Sequence, residues 1–236
     1  RSKFSLQTLP AEDFPNLDAG KFDAEFEIDL AALFAPVSFA ISTEETRHYL
    51  QGIFLHVDDG RITAVATDGH RLARNRGDVT ADFAGIIVPR KAVGLLPKGG
   101  VNVSLSEQKI RIEHKDLTLV SKLIDGTFPD YKRVIPSSNN KVVTFDRDAL
   151  LKASDRVSTV STERGRAVKF SIAPGAIALS VRSDAGEAAD EIAAEYTGEP
   201  IEIGFNASYV RDMLSVMPVG ETMLVLSDSG SPTLVK

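Results

Sequence analysis

Residues 67–72, with the sequence Thr-Asp-Gly-His-Arg-Leu, combine residue types that could do chemistry. In an enzyme, the carboxylate of Asp68 would orient His70 as a general base, with Arg71 beside it. However, Asp-Gly is a hairpin signal, and both flanks of the segment have the composition of strands. Because no nucleophile motif accompanies the segment, we predict a hairpin loop without catalytic residues. A hydrolase or transferase that uses Asp68, His70 and Arg71 is the alternative from the enzyme class.

The sequence also gives no indication of a metal or cofactor site. The histidines show neither an i, i+4 pair nor any other paired spacing; they are His48, His56, His70 and His114. The absence of cysteine excludes disulfides and cysteine-held zinc, and it favours a reducing cytoplasm. The glycines are scattered and form neither of the common phosphate-binding motifs. We therefore predict no metal and no cofactor.

The region 146–159 has the apolar periodicity of an amphipathic helix. Its apolar stripe consists of Leu150, Ala153 and Val157. Lys152 and Arg156 lie one turn apart on the other side of this helix. Like charges at that spacing repel each other, so a nearby anion would be a natural compensation.

Cations occupy two other predicted helices as well, with Arg90 and Lys91 opening one and Arg211 in the other. A solvated face is the better explanation for any one of these helices. Their equivalent places in a repeat make a positive surface that faces a polyanion an equally good explanation for the set. The net charge of -6 argues against gripping nucleic acid by bulk electrostatics. Tryptophan is absent and the tyrosines are dispersed, so stacking on single-stranded bases is not indicated.

The composition is that of a folded globular protein. Of the 236 residues, 43% are hydrophobic and 25% are charged, which suits one large domain or two ordinary ones. No apolar run approaches the roughly 20 residues of a membrane span, and no signal peptide precedes the first predicted strand. We therefore expect a cytoplasmic protein.

The clearest internal signal is a duplication. Leu9 and Leu123 stand in matching segments 114 positions apart, and so do the Phe-Pro pairs that begin at Phe14 and Phe128. Residues 28–29 match 145–146 at a separation of 117, and 42–44 match 161–163 at 119. Periods this long indicate duplicated domains rather than a solenoid. Residues 4–9 match the segment that ends the first repeat, so they would belong to a preceding copy. We therefore expect a fragment of a protein with at least three units.

The predicted elements of each repeat are two helices, each followed by strands. Strands are expected at 62–66, 101–106 and 110–113 because apolar and polar residues alternate there. Segments 10–17 and 128–136 are predicted linkers, since proline forces the preceding residue to be extended. The helices are expected near 29–41, 89–96, 146–159 and 206–217. The predicted fold class is α+β with antiparallel sheets.

Four motifs in order resemble those of one protein family, the bacterial DNA polymerase III β subunit or β sliding clamp. They are residues 67–73, 88–91, 128–134, and 203–206 with Tyr209. The resemblance implies tandem clamp-type domains with the DNA clamp fold, each with two helices packed on antiparallel sheets and with internal pseudo-symmetry. It assigns residues 1–17 to the tail of a preceding domain and a linker, 18–130 to domain 2, and 131–236 to domain 3. The C-terminal strand and tail of domain 3 are expected to be absent.

The function that the resemblance implies is that of a DNA polymerase processivity factor, without enzymatic activity. Members form head-to-tail dimeric rings around duplex DNA, with helices lining the hole and sheets outside. A ring retains DNA by topology and needs only a weakly attractive lining, which reconciles the acidic net charge with basic helices. By resemblance, Arg90 and Lys91 face the DNA, with Arg47 and Tyr49 near that surface. From helix position we add Lys152, Arg156 and Arg211.

The resemblance also implies a hydrophobic pocket between domains 2 and 3. It accepts linear motifs, typically a glutamine followed by leucines or a phenylalanine, from replicative and translesion polymerases, the clamp loader and mismatch repair proteins. The matching positions are Leu50, Thr67, Gly69, His70, Arg71, Leu72, Pro129, Arg133, Val134, Asn206 and Tyr209. From the pattern alone, ordinary core residues are the preferred interpretation of Leu50, Leu72 and Val134. A peptide-binding adaptor that never meets DNA is a second alternative.

The sequence departs from the family's pattern in several places. His48 stands where relatives often have an aromatic residue, and Pro36 should kink or shorten the first helix. Segment 95–101 is shorter than the expected connection. The family's C-terminal Met-Pro-Met-Arg motif and domain 1 are not in the sequence, so we expect this chain alone to form no ring. Val160 and the residues after it are expected to face the partner subunit.

Overall fold

The structure is a computed structural model that describes residues 2–13, 20–160 and 167–236. The chain divides into two compact units, Arg1–Thr127 and Phe128–Lys236. Part of the predicted linker 10–17, the repeat match at 161–163 and the residues directly after Val160 lie outside the described residues. No helix in the described ranges is long and apolar enough to cross a membrane.

Unit 1 alternates helices with runs of antiparallel strands. Its strands are β1 Ala24–Ile28, β2 Gly52–Asp58, β3 Arg61–Thr67, β4 Leu72–Thr80, β5 Ile86–Pro89, β6 Val101–Leu105, β7 Lys109–His114 and β8 Leu117–Lys122. Its helices are α1 Leu30–Phe34 and α2 Arg90–Val93, with 3-10 turns at Ala11–Asp13, Ser38–Ala40 and Glu45–Leu50. Within the described residues the strands form two four-stranded sheets, in the orders β4-β3-β2-β5 and β1-β6-β7-β8.

Unit 2 repeats this plan. Its strands are β9 Lys141–Asp146, β10 Ala167–Ala173, β11 Ala176–Ser183, β12 Gly186–Glu195, β13 Ile201–Asn206, β14 Glu221–Leu226 and β15 Leu234–Val235. Its helices are α3 Arg147–Ser158 and α4 Ala207–Val216, and a 3-10 turn spans Tyr131–Val134. The described strands form one seven-stranded sheet, β13-β10-β11-β12-β9-β14-β15.

The two units have matching topologies. The order β13-β10-β11-β12 repeats β5-β2-β3-β4, and β9-β14-β15 repeats β1-β6-β7. In unit 2, β12 also pairs with β9, through Ala194 with Phe145 and Glu195 with Thr144, which joins the two halves into one sheet. The predicted duplication and the antiparallel α+β fold are therefore confirmed.

Matching side chains start the first helix of each unit. Asp29 accepts a hydrogen bond from the Ala32 N–H at 2.9 Å, and Asp146 accepts one from the Ala149 N–H at 2.8 Å. Such side-chain caps satisfy N–H groups that the helix itself leaves unpaired. The second helices begin after Pro89 and Asn206, which are also 117 positions apart.

The four helices occur where the sequence predicts them, but those of unit 1 are short. α1 ends at Phe34, close to Pro36, and the chain continues into the 3-10 turn Ser38–Ala40. This agrees with the expectation that Pro36 shortens the helix. Each helix buries apolar residues in the core of its own unit. These residues are Leu30, Leu33, Phe34 and Ala92 in unit 1, and Leu150, Ala153, Val157, Ala207, Val210 and Leu214 in unit 2.

The alternation predicted for residues 62–66 is wrong in one respect. Ile62, Ala64 and Ala66 lie in the core as expected, but Thr63 and Val65 on the other face are buried as well. Thr63 pairs with a histidine and an arginine, and Val65 with a phenylalanine and an arginine. Paired residues share a face of the sheet, so these large side chains cover the two small ones.

We predict that replacing Asp146 with alanine lowers the free energy of unfolding by about 1 kcal/mol, because the first turn of α3 loses its cap. Asp146→Asn is the matched control, since asparagine caps helices about as well as aspartate. The measurement is urea unfolding followed by circular dichroism at 222 nm, where α3 and α4 contribute most of the helical signal. Equal destabilisation by both variants would contradict the capping role.

Candidate functional site

The hairpin between β3 and β4 carries the segment singled out from the sequence. Thr67 pairs with Leu72, and the four residues between them form the loop. The Thr67 hydroxyl donates to the Arg71 carbonyl at 2.7 Å and accepts from the Gly69 N–H at 3.1 Å. Gly69 has a φ of +90°, a conformation that other residues rarely adopt. The predicted hairpin is confirmed.

Asp68 holds this loop together. One carboxylate oxygen accepts the backbone N–H groups of His70 at 2.9 Å and Arg71 at 3.0 Å, and the other accepts Arg71 Nε at 3.1 Å. These are charge-assisted hydrogen bonds in a partly buried setting. The carboxylate therefore serves the conformation of the loop, a structural role that weakens the case for it as an orienting group in catalysis.

Arg71 connects the loop to the segment that follows α1. Its Nη2 donates to the Phe39 carbonyl at 2.9 Å, and its guanidinium carbon lies 5.1 Å from the centre of the Phe39 ring. A guanidinium over an aromatic face is an attractive arrangement. His70 and Gly69 are exposed and Leu72 is half-buried, so the tip of the loop faces solvent.

Arg47 reaches the same loop from the 3-10 turn Glu45–Leu50. Its Nε donates to Glu44 at 2.8 Å, and its Nη2 pairs with the same carboxylate oxygen. The hydrogen bond from Thr46 and then that from Arg47 lower the pKa of Glu44, and Glu44 in turn raises the pKa of Arg47. A Cβ atom added to Gly69 would lie 2.6 Å from Arg47 Nη1, so the guanidinium packs directly on this glycine.

The same turn contains Tyr49 and Leu50. The ring of Tyr49 meets that of His48 edge-on with centroids 5.7 Å apart, and His48 Nε2 lies 3.2 Å from the Asp125 carbonyl oxygen. Leu50 is buried. Its burial agrees with the ordinary-core interpretation, which the sequence pattern preferred for this residue.

The start of α2 presents two exposed cations, Arg90 and Lys91. Neither makes an ion pair within the described parts of the chain. The Arg90 N–H donates to the Gln51 carbonyl at 3.0 Å, which ties α2 to the turn that carries Arg47. A concavity of about 710 Å³ adjoins these residues, lined by Ser42, Thr43, Glu45, Gln51, Pro89, Arg90, Lys91, Gly94, Leu95 and Ile124.

In unit 2, two of the three predicted DNA-facing cations have partners. Arg156 Nε donates to Asp190 of β12 at 2.6 Å, and Arg211 Nε donates to Asp155 of α3 at 2.7 Å. The hydrogen bond from Arg156 lowers the pKa of Asp190. The anion that the sequence suggested near Arg156 is thus a side chain of the same unit. Lys152 is exposed.

The remaining predicted pocket residues of unit 2 lie in two groups. Asn206 caps α4 by accepting the Ser208 N–H at 2.9 Å, and Tyr209 is half-buried in the first turn of that helix. Pro129, Arg133 and Val134 are exposed around the 3-10 turn Tyr131–Val134, where Arg133 Nε pairs with Asp130 at 2.9 Å. Val134 is 61% exposed, so the ordinary-core interpretation is wrong for this residue.

Four acceptors that hold these side chains were missed by the sequence analysis. Glu44 stands three positions before Arg47, and this spacing on a turn could have suggested the pair. The Phe39 carbonyl, Asp190 and Asp155 lie 32, 34 and 56 positions from their arginines. No local pattern connects residues so far apart in the chain.

Two family profiles match the chain, one for each unit. The DNA polymerase III beta subunit central domain matches residues 27–130, and the C-terminal domain of the same subunit matches residues 132–236. The beta sliding clamp of Caulobacter vibrioides is 44% identical over 252 residues, which covers 100% of this chain and 68% of the relative. That of Pseudomonas putida is 38% identical, with the same coverage.

The chain belongs to the bacterial β sliding clamp family.

Solved structures of β sliding clamps agree. The sliding clamp of Bartonella birtlesii bound to griselimycin is 44% identical, with a TM-score of 0.91 over 98% of this chain and 67% of that one. The DNA polymerase III subunit beta of Pseudomonas aeruginosa is 37% identical, with a TM-score of 0.93 over 100% of this chain and 69% of that one. The β-clamp resemblance read from four motifs is therefore confirmed along the whole chain.

We predict that replacing Asp68 with alanine speeds backbone amide exchange at His70 and Arg71 about tenfold to a hundredfold, because both amides lose a charged acceptor. Asp68→Asn keeps one oxygen for these amides and loses mainly the ion pair with Arg71, so most of the protection should remain. Hydrogen exchange read by mass spectrometry or NMR measures the effect. Unchanged exchange in the alanine variant would show that the loop does not depend on Asp68.

Proposed function

We propose that this chain acts as a DNA polymerase processivity factor, a clamp that surrounds duplex DNA and docks replication and repair proteins. Membership of the β sliding clamp family, with matches to two successive domains, carries this proposal. Residues 18–130 would form domain 2 and residues 131–236 domain 3, with 1–17 as the tail of a preceding domain and a linker. The full-length protein would be a head-to-tail homodimeric ring in the bacterial cytoplasm, associated with the nucleoid.

The proposed DNA-facing surface combines residues from both units, with unequal contributions. Arg90 and Lys91 are exposed, and both make no ion pair within the described ranges, so their charge is available to phosphates. Arg156 and Arg211 would have to break their ion pairs with aspartates before they could bind phosphate, which reduces their net contribution to DNA affinity. Lys152, Tyr49 and Arg47 complete the predicted set by position. A weak lining of this kind suits a ring that holds DNA by topology and must slide.

The proposed docking pocket takes side chains from the β3–β4 hairpin and the turn before β2, together with residues of unit 2. The hairpin tip offers backbone and polar groups held in place by Asp68, whereas Leu72 and the exposed Val134 offer apolar surface. A short motif with a glutamine, leucines or a phenylalanine fits this chemistry. Polymerases, the clamp loader and mismatch repair proteins would use it through such motifs.

We propose no catalytic role for the segment 67–72. Asp68 is engaged in the structure of the loop, which leaves the general-base hypothesis for His70 with little support. Replacing His70 with alanine distinguishes the two functions. A docking role predicts a modest loss of peptide affinity, whereas an enzyme would lose orders of magnitude in rate.

The DNA-binding part is tested with Arg90→Glu combined with Lys91→Glu. The affinity of the full-length protein for a fluorescent duplex should fall. The slope of log K against log salt concentration should become shallower by about 1.8, because each lost phosphate contact removes about 0.9 from it. The matched control is Lys169→Glu with Arg182→Glu, which changes the net charge equally on strands β10 and β11. Fluorescence anisotropy across a salt series measures both. Unchanged duplex affinity and salt dependence in Arg90→Glu with Lys91→Glu would favour a peptide-binding adaptor that never meets DNA. Equal losses in the two double variants would mean that net charge, and not this surface, determines the affinity.

The docking part is tested with Val134→Asp. A carboxylate at this exposed apolar position should reduce the affinity for a fluorescent glutamine–leucine–phenylalanine motif peptide about tenfold or more, because the charge is desolvated on binding. Val219→Asp is the matched control, since Val219 is also exposed, at 74%, but is not a predicted pocket residue. Thermal unfolding should be unchanged in both variants. Retained affinity in Val134→Asp would remove this residue from the pocket.

A further inference from the structure

Arg47 is associated with both proposed surfaces, the DNA-facing surface and the docking pocket. By resemblance it belongs near the DNA-facing surface, yet its guanidinium packs on Gly69 in the docking loop. A side chain at position 69 would displace it, since even a Cβ would lie 2.6 Å from Nη1. The backbone φ of +90° favours glycine at this position as well.

Glu44 holds Arg47 in this place. Arg47 Nε and Nη2 both donate to one oxygen of the carboxylate, and the other oxygen accepts the Thr46 hydroxyl at 2.7 Å. The backbone around Glu44 is fixed as well. Its N–H donates to the Ser42 hydroxyl at 3.2 Å, and its carbonyl accepts Gln51 Nε2 at 3.1 Å. The carboxylate is therefore positioned by several contacts rather than resting loosely on the surface.

The arrangement decides which groups Arg47 can bind. A guanidinium grips carboxylates and phosphates through its N–H edges. Glu44 occupies the edge formed by Nε and Nη2, while Nη1 lies over the backbone of Gly69. The carboxylate thus occupies one of the edges through which Arg47 would otherwise bind a phosphate. Arg90 and Lys91, by contrast, make no such ion pair within the described residues.

We propose that Glu44 withholds Arg47 from duplex DNA and keeps it on the loop of residues 68–71, so that Arg47 supports the docking pocket rather than the DNA lining. This inference rests on the proposed function, because it assigns one residue between the two surfaces of a clamp. Glu44 is a positioning residue in this account, since it acts through Arg47 and touches neither ligand.

The test uses the full-length protein and four variants, Glu44→Gln, Glu45→Gln, Arg47→Ala and the double variant Glu44→Gln with Arg47→Ala. Glu45→Gln removes the same charge from the neighbouring exposed residue. Binding of a fluorescent DNA duplex is measured by anisotropy over a salt series. Binding of the glutamine–leucine–phenylalanine motif peptide is measured in parallel, and thermal unfolding checks the fold.

Glu44→Gln should bind duplex DNA about two- to fivefold tighter, the range that corresponds to releasing one exposed ion pair. The slope of log K against log salt concentration should become steeper by about 0.9, the value for one added phosphate contact. Glu45→Gln should change both quantities less. Arg47→Ala should barely alter DNA affinity in the wild-type background, but it should abolish the gain in the double variant. Peptide affinity should fall in both Glu44→Gln and Arg47→Ala.

Two results would overturn the inference while leaving the proposed function intact. One is an equal gain in DNA affinity from Glu44→Gln and Glu45→Gln, and the other is a gain that persists without Arg47. Either would mean that bulk charge, and not the release of Arg47, changes binding. A wild-type protein that binds neither duplex nor peptide would instead remove the proposed function, and the inference with it.

Discussion

The burial of one apolar stripe per helix against the sheets of its own unit is the constraint on which the other features depend. In α3, Leu150, Ala153 and Val157 are all at most 1% exposed. A helix fixed in this way must turn its other side to solvent, where charged residues cost little. The position of Lys152 and Arg156 therefore follows from packing. The chain can carry a net charge of -6 and still gather cations on its helices.

The loop of residues 68–71, between β3 and β4, depends on a different kind of interaction. Its tip has little apolar burial, and its conformation comes from charged hydrogen bonds centred on Asp68 and from a glycine with a positive φ. Arg71 ties the loop to Phe39, and Arg47 covers Gly69. A loop held by polar contacts from three directions can present backbone groups to a peptide in a fixed geometry, which reduces the entropic cost of binding.

Local sequence patterns predicted the elements, and they could not predict how side chains from distant elements pair. Helical periodicity located α3 nearly to the residue, Pro36 predicted the short α1, and Asp-Gly predicted the hairpin. The partners of Arg71, Arg156 and Arg211 depend on tertiary packing, so nothing near them in the sequence identifies them. The burial of Thr63 and Val65 has the same origin, because the neighbouring strands supply the side chains that cover them.

The proposed function requires the protein to retain DNA by enclosing it rather than by gripping it. The most direct measurement follows the full-length protein, loaded by a bacterial clamp loader, on a nicked circular DNA in high salt before and after the circle is cut. Enclosure predicts that the protein stays on the circle, where salt has weakened phosphate contacts, and slides off once free ends appear. Equal retention on circular and linear DNA, or release from the circle by salt alone, would contradict retention by enclosure.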